Sequence, residues 1–462
     1  MAATEHQESM QYGDEVIRIE PKGIEHIGED ERHGKVSSVF TLWFGANVEL
    51  ATLTTGVAAV AFFGLNFTDA AIGLLIGNLI GVTLLGLLST FGPRLGVPQM
   101  VHSRAAFGFV GNFIPGFLNM IAGVMWFAVN TVLGSFAFET LFGSSFVVAL
   151  VVMVIIQVAV AVYGYNMIHA VEKFMALILT LVFIGVSFFA FAHVNYHLAF
   201  NAKIYPSMSG AMVEAAGLAL SYLLGWTVFS SDYTRYLSHK TPSKKVFWNA
   251  ASSNFIACLW LELVGVALAI AFPKAAVSAN PMSLLAGIQP HWLVSVTLLA
   301  VIIGTVTANV LNIYSGSLSA LVVNIPIKRW VAAILVGIVG GFLALYSHQA
   351  YYADFENFLF LLGYWLSPWV AVVLIDFLVV HRGRYTTDLF YDPRRVIRPG
   401  LFAWLAAIIV SIPFFDQTLY TGPIAYQFPQ IGDLSYYVSF VVAALLYWVL
   451  GTRTVRRDIT KS

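Results

Sequence analysis

Apolar positions in this chain come in long blocks, not at the short periods of a water-soluble fold. Runs of the roughly 20 residues that cross a bilayer fall near 39–64, 70–91, 112–138, 145–164 and 174–193. A further set falls near 211–231, 247–272, 291–322, 330–346, 355–380, 399–415 and 433–452. The pattern predicts an all-α integral membrane protein with twelve transmembrane helices. The third and eighth runs are overlong, as tilted spans are. The chain divides into a polar tail at 1–37, five spans in 38–194, five in 210–381, two in 398–453 and a tail at 454–462.

Lysine and arginine set the direction. Arg18, Lys22, Arg32 and Lys35 lie in the first tail, Arg94 and Arg104 after span two, and Lys173 after span four. Arg235, Lys240, Lys244 and Lys245 follow span six, and Lys328 and Arg329 follow span eight. Arg382, Arg384, Arg394, Arg395 and Arg398 follow span ten, and Arg453, Arg456, Arg457 and Lys461 close the chain. Only Lys203 and Lys274 fall on the opposite side. Basic loops stay in the cytoplasm, so both ends are expected there, with the spans in the cell membrane. The first tail has no apolar core of a cleavable signal.

Composition agrees with this reading. Of 462 residues, 59% are hydrophobic and 10% charged, against about 25% charged in soluble domains. A single cysteine, Cys258, excludes a disulfide framework and a four-cysteine metal site.

Polar residues inside the spans carry the chemistry. Gly45, Asn47 and Glu49 fall near the middle of the first, where a lipid-facing carboxylate costs about 2.5–3.5 kcal/mol. The segment is therefore expected to face protein or water, with a helix break at Gly45-Ala-Asn that exposes backbone groups. Trp126 and Asn130 share a face of the third span. Tyr222, Gly225 and Trp226 precede Ser230-Ser-Asp-Tyr-Thr-Arg-Tyr236 in the sixth, Thr305, Thr307, Asn309 and Asn312 cluster in the eighth, and Glu262 sits within the seventh. Each alone reads as packing or interhelical glue. Their recurrence in spans one, three, six and eight predicts two five-helix inverted repeats, with these paired helices interrupted around a mid-membrane site. Ala71, Gly73, Gly77, Gly81 and Gly86 read as a helix-packing stripe, and Gly92–Val101 as a structured cytoplasmic loop.

Five stretches carry a resemblance. They are Gly23-Ile-Glu-His-Ile, Gly92-Pro-Arg-Leu-Gly-Val-Pro-Gln-Met, Gly225-Trp-Thr-Val-Phe-Ser-Ser-Asp-Tyr-Thr-Arg-Tyr, Asn312-Ile-Tyr-Ser, and Ile375-Asp-Phe through His381-Arg-Gly-Arg-Tyr. With these the chain resembles the nucleobase–cation symporter-1 family, in its purine–cytosine permease branch, over roughly 23–450. The resemblance implies the five-plus-five inverted-repeat fold with two added C-terminal helices, and alternating access driven by a cation gradient. It makes Trp126 one wall for a planar substrate, with Tyr222 or Trp226 as the other. It makes Asn130 and Asn312 substrate contacts, and Asn47 and Asn309 join them as candidate rim groups. A flat base stacks on an aromatic for about 1–3 kcal/mol whatever its identity, so selectivity falls to the rim, where an asparagine amide reads donor and acceptor together.

For the cation, the resemblance points to carbonyls near Gly45 and Val48 with an eighth-helix hydroxyl pair. Thr307 matches one hydroxyl, but Val306 takes the adjacent place. A proton is therefore favoured over Na+, with Glu49 as its carrier or as a contact to the substrate's N–H edge. No cofactor and no nucleic acid partner is expected beyond the small heterocyclic substrate and the surrounding lipid; the oligomeric state stays open. The substrate is a nucleobase or a related ring such as allantoin, a hydantoin, pyridoxine or a thiamine precursor. An intramembrane enzyme lacks its usual motifs here, and a channel would need rings of like residues.

Overall fold

The structure, a computed structural model, describes residues 23–161, 165–386 and 388–461, with the backbone alone at 165–176, 329 and 456–461. Arg18 and Lys22 of the first tail, and the side chains of Lys173, Arg329, Arg456, Arg457 and Lys461, lie outside the described residues.

The helices follow the apolar blocks. We number the long ones and the pieces at the breaks: α1 (Val36–Asn47), α2 (Leu50–Ala61), α3 (Phe67–Ser89), α4 (Phe113–Phe142), α5 (Phe146–Ala161), α6 (Tyr165–His193) and α7 (Met208–Thr227). These are followed by α8 (Ser230–Thr234), α9 (Ser243–Ala271), α10 (His291–Val322), α11 (Arg329–Ser347), α12 (Tyr351–Ile375), α13 (Pro399–Ser411) and α14 (Ser435–Lys461), the last running on through the predicted C-terminal tail. Among the described residues seven helical stretches are long and apolar enough to cross a membrane, or eight with α1 and α2 taken as one bent span. One of the seven, Trp330–Val380, holds both α11 and α12, joined through a 3-10 turn. Shorter apolar helices are Phe146–Ala161, Leu177–His193 and Pro399–Phe414.

The first span is broken, though not at its glycine. α1 continues through Gly45 to Asn47, and the chain bends by 53° at Val48 and Glu49. Glu49 is extended, at φ −142° and ψ 171°. The Asn47 amide donates to the Trp43 carbonyl (2.7 Å) and to Asn254 Oδ1 (2.8 Å), which holds the last turn of α1 on α9. The Thr52 hydroxyl then donates to the Asn47 carbonyl at 2.7 Å, satisfying an end group the break had freed. The sixth run, expected to be interrupted, forms one unbroken helix, α7, long enough by itself to cross a membrane, and the chain turns at Val228–Phe229 only after it, before the short α8. The third and eighth are not interrupted, contrary to expectation. α4 and α10 run unbroken for 30 and 32 residues, because their polar side chains bond to each other across the helix pair and leave the backbone ladders intact.

Small residues set the helix spacing. A Cβ at Gly77 would stand 2.1 Å from the Ala216 carbonyl oxygen, so α3 and α7 meet backbone to backbone. Gly56 and Gly265 do the same between α2 and α9, against the carbonyls of Glu262 and Leu53. The glycine stripe of span two is packing.

The connection after α3 is more ordered than a loop. It forms three short helices, Phe91–Leu95, Gln99–His102 and Arg104–Phe107, largely buried. Residues 23–35 cross the same end of the bundle. Ile27 N–H donates to the Gly96 carbonyl (2.8 Å), Gly34 N–H to that of Tyr236 (3.0 Å), and Arg32 to that of Leu237 (3.2 Å). Two basic residues read as markers of sidedness are buried staples. Arg104 donates to the Val322 carbonyl at 2.8 Å, and Arg235 to that of Gly23 at 2.8 Å.

Candidate functional site

The site residues lie on α1 and its break at Val48–Glu49, and on α4, α7 and α10. Trp126 is 3% exposed. Its indole lies over Gly225, where a Cβ would come within 3.1 Å of Nε1. Around it stand Tyr222 edge-on (centroids 5.5 Å, planes at 90°) and Trp226 nearly parallel (6.4 Å, 16°). Phe358 and Phe355 of α12 close the group at 5.1 and 6.3 Å, and Trp43 meets Trp226 edge-on at 5.6 Å. The sequence reading did not single out Trp43, Phe355 or Phe358. Their only signal was aromatic content within spans, which lipid-belt residues share.

The asparagines form a second cluster on the α4–α10 seam. Asn309 is its hub. Its amide donates to the Phe127 carbonyl (2.9 Å) and Thr131 Oγ1 (3.2 Å), while its oxygen accepts from Asn130 and Asn312, each at 3.3 Å. Thr131 in turn donates to Gln157 at 2.8 Å. Asn309 has spent its bonding capacity. Asn130 Oδ1 and Asn312 Oδ1 are buried with no partner in the protein, as is Trp226 Nε1. Buried polar atoms are normally bonded, so two acceptors and a donor stand ready for a polar ligand. Asn47 is placed differently, bonded to Asn254 and accepting from the Cys258 thiol at 3.3 Å.

At the break a hydroxyl line links the first span to the sixth. Tyr222 Oη lies 2.7 Å from Thr52 Oγ1 and donates to Glu49 Oε1 at 3.2 Å, and Thr52 donates to the Asn47 carbonyl. Tyr222 has one proton for two acceptors. With Glu49 ionised it turns to the carboxylate. With Glu49 protonated the acid can donate to Tyr222, Tyr222 to Thr52 and Thr52 to Asn47, so each hydroxyl of the line has an acceptor. On α10, Thr307 donates to the Gly304 carbonyl at 2.8 Å, and Val306 is buried beside it. Two carbonyls and one hydroxyl are fewer oxygens than a hard cation gathers.

Two cavities border α4 near this group. One of about 340 Å³ opens between α4, α10 and α11, walled by apolar side chains including Met125 and Val336. Another of about 70 Å³ borders Phe355, Phe358 and Tyr351.

Residues 26–442 match the family model described as permease for cytosine/purines, uracil, thiamine, allantoin. The chain belongs to this family. It is the nucleobase–cation symporter family that the motifs had indicated. This permease is 30% identical over 454 residues to YxlA of Bacillus subtilis, assigned by name as a purine-cytosine permease, with 94% of this chain and 96% of the relative covered. It is 27% identical over 462 residues to the purine-cytosine permease fcyB of Emericella nidulans, covering 94% of this chain and 88% of the relative. Among solved structures it resembles Mhp1, a nucleobase-cation-symport-1 family transporter held closed with bromovinylhydantoin bound. The TM-score is 0.73 at 18% identity, covering 95% of this chain and 96% of that one. The permease therefore has the Mhp1-like transporter fold and is a multi-pass membrane protein.

Proposed function

We propose that this permease is a proton-coupled symporter that imports a nucleobase, cytosine or a purine, by alternating access. The observation that carries the reading is the pair Trp126 and Trp226, near-parallel at 6.4 Å, with unpartnered polar atoms on Asn130, Asn312 and Trp226. A flat ring held between two aromatic walls needs their planes about 7 Å apart, so in this reading the pair parts to admit the ring. In this reading Trp126 and Trp226 are the walls and Asn130 and Asn312 read the rim. Asn309 holds Asn130 and Asn312 in place, Asn47 anchors the break on α9, and Tyr222 relays the state of Glu49. The runner-up substrate is a related ring among those in the family's description, such as uracil, thiamine or allantoin.

Twelve spans in a five-plus-five arrangement fit these helices if α1 and α2 make one span, Trp330–Val380 two, and each shorter apolar helix one. The paired repeats of this scheme are 38–194 and 210–381, and the bend in span one is the interruption that fits them. Both termini lie in the cytoplasm of the cell membrane in this scheme, which thiol labelling at positions 67 and 243 would report. Coupling to a proton rests on Glu49 at the break and on Val306 beside Thr307; sodium held by Gly45, Val48 and Thr307 is the competing scheme. The deciding experiment is uptake of labelled cytosine by proteoliposomes under an inward proton gradient, with unlabelled bases as competitors. Concentrative uptake that an uncoupler abolishes is expected. Equilibration without accumulation would mean a channel, and chemical conversion of the base an enzyme.

A further inference from the structure

Glu262 is a buried acid near the break that the scheme above leaves unused. It lies on α9 with no measurable exposure, and its carbonyl is pressed against Gly56 of α2. Its side chain meets one polar partner, Asn78 of α3, whose amide donates to Oε2. The other amide hydrogen of Asn78 is spent on the Leu74 carbonyl at 2.9 Å. Two oxygens remain, Glu262 Oε1 and Asn78 Oδ1, both buried and both without a partner.

With the carboxyl ionised, both are bare acceptors beside an uncompensated charge, an arrangement that buried groups avoid. A proton removes the charge and turns one of the two acceptors into a donor. The packing elements offer no competing cation. α3 presents Asn78, α2 presents Gly56, α6 contributes Ser187 to neighbouring Trp260 at 2.9 Å, and no ion pair reaches Glu262 among the described residues. The nearest titratable groups are Cys258, one turn away on α9, and Glu49 beyond it. Asn254, Cys258 and Glu262 recur every four residues on one α9 face, and the first two bond Asn47 at the break. Glu262 thus ends a polar line that begins at the interrupted helix.

We propose that Glu262, held by Asn78, is a second proton-binding site of the coupling machinery, loaded in this conformation and emptied during the cycle. The step is a simple protonation, carboxylate plus a proton from water giving the neutral acid. The proposal rests on the proton-coupled reading above.

The test uses the full-length protein in proteoliposomes. Glu262→Gln imitates the neutral acid in shape, so counterflow exchange of cytosine should stay within about two-fold of wild type. Accumulation driven by a proton gradient should fall at least 10-fold. A Glu262→Gln protein that accumulates as wild type does would make the acid structural and overturn the proposal. Infrared spectroscopy gives a second readout, which Asn78→Ala supplies even if Glu262→Gln does not fold. The wild type should show a protonated-carboxyl band persisting at pH 8 that moves in Asn78→Ala. A spectrum lacking that band, or one indifferent to Asn78, would overturn the proposal too. If the wild type neither exchanges nor accumulates any base, the transport reading fails, and with it the coupling role of Glu262.

Discussion

The phenol of Tyr222 stands 3.2 Å from a carboxyl oxygen of Glu49, so a side chain of the sixth span answers to the charge at the break in the first. Tyr222 also meets the Trp126 indole edge-on. A change of proton at Glu49 that reorients the phenol is felt at the aromatic group without a long relay.

The aromatic pair gives the first prediction. Trp126→Ala and Trp226→Ala should each weaken cytosine binding about 10-fold or more, or ~1.4 kcal/mol per decade, while Tyr222→Phe keeps affinity and alters coupling. Competition against labelled cytosine measures the first effect, and the ratio of accumulation to exchange the second. Equal losses for Tyr222→Phe and Trp226→Ala would remove Trp226 as the second wall.

The asparagines divide by their bonding. Asn312→Ala should weaken binding unequally among bases, because Asn312 Oδ1 has no protein partner. Asn309→Ala breaks a hub of four hydrogen bonds and should lower thermal stability for every substrate alike. Melting temperature and a base panel, measured on both variants, separate the two roles. Indifference of all bases to Asn312→Ala would disprove its rim role.

The coupling prediction turns on protonation from outside. Uptake should rise as external pH falls and stay constant when choline replaces sodium. Glu49→Gln should fold, since the amide matches the neutral acid in shape, and should exchange substrate without accumulating it. A strict sodium requirement at constant pH, with no response to a proton gradient, would decide for Gly45, Val48 and Thr307 as a sodium site.

At the end of the bundle crossed by residues 23–35, Glu29 accepts hydrogen bonds from the Ser238 hydroxyl and the His239 N–H. These contacts hold its carboxyl near 2, below the usual 4.5. A depressed value stabilises the ionised contact above pH 4.5, and the contribution is lost as pH falls toward 2. Glu29 therefore stays ionised from pH 5.5 to 8. Glu29→Ala should raise amide exchange over residues 23–35 at pH 7; unchanged exchange would mean that the remaining contacts, among them those of Arg32 and Arg235, hold the segment without it.

Close helix approach supplies the last prediction. A methyl at position 77 would meet the Ala216 carbonyl at 2.1 Å, and backbone cannot step aside as a side chain can. Gly77→Ala should lower the melting temperature of the purified protein, whereas Gly143→Ala, with nothing near its Cβ position, should cost only the strain of its positive φ. A Gly77→Ala protein as stable as wild type would mean that α3 and α7 separate freely.

The pattern of residues alone makes the chain a helical, multi-pass membrane protein, because a bilayer demands long apolar runs. It also determined the family through its motifs, and that the break falls in the first span, because polar residues at that depth need shelter. Tertiary structure decided the rest. Gly45 stayed helical and Val48–Glu49 bent instead, because Asn47 is anchored on Asn254 of a helix some 200 residues away. The parallel partner of Trp126 proved to be Trp226, although Tyr222 lies on the same helical face and no periodicity separates them. Asn309 became a hub and Asn312 kept a bare oxygen because hydrogen-bond capacity is shared across the α4–α10 seam. Such sharing depends on distances between helices, which a linear pattern does not contain.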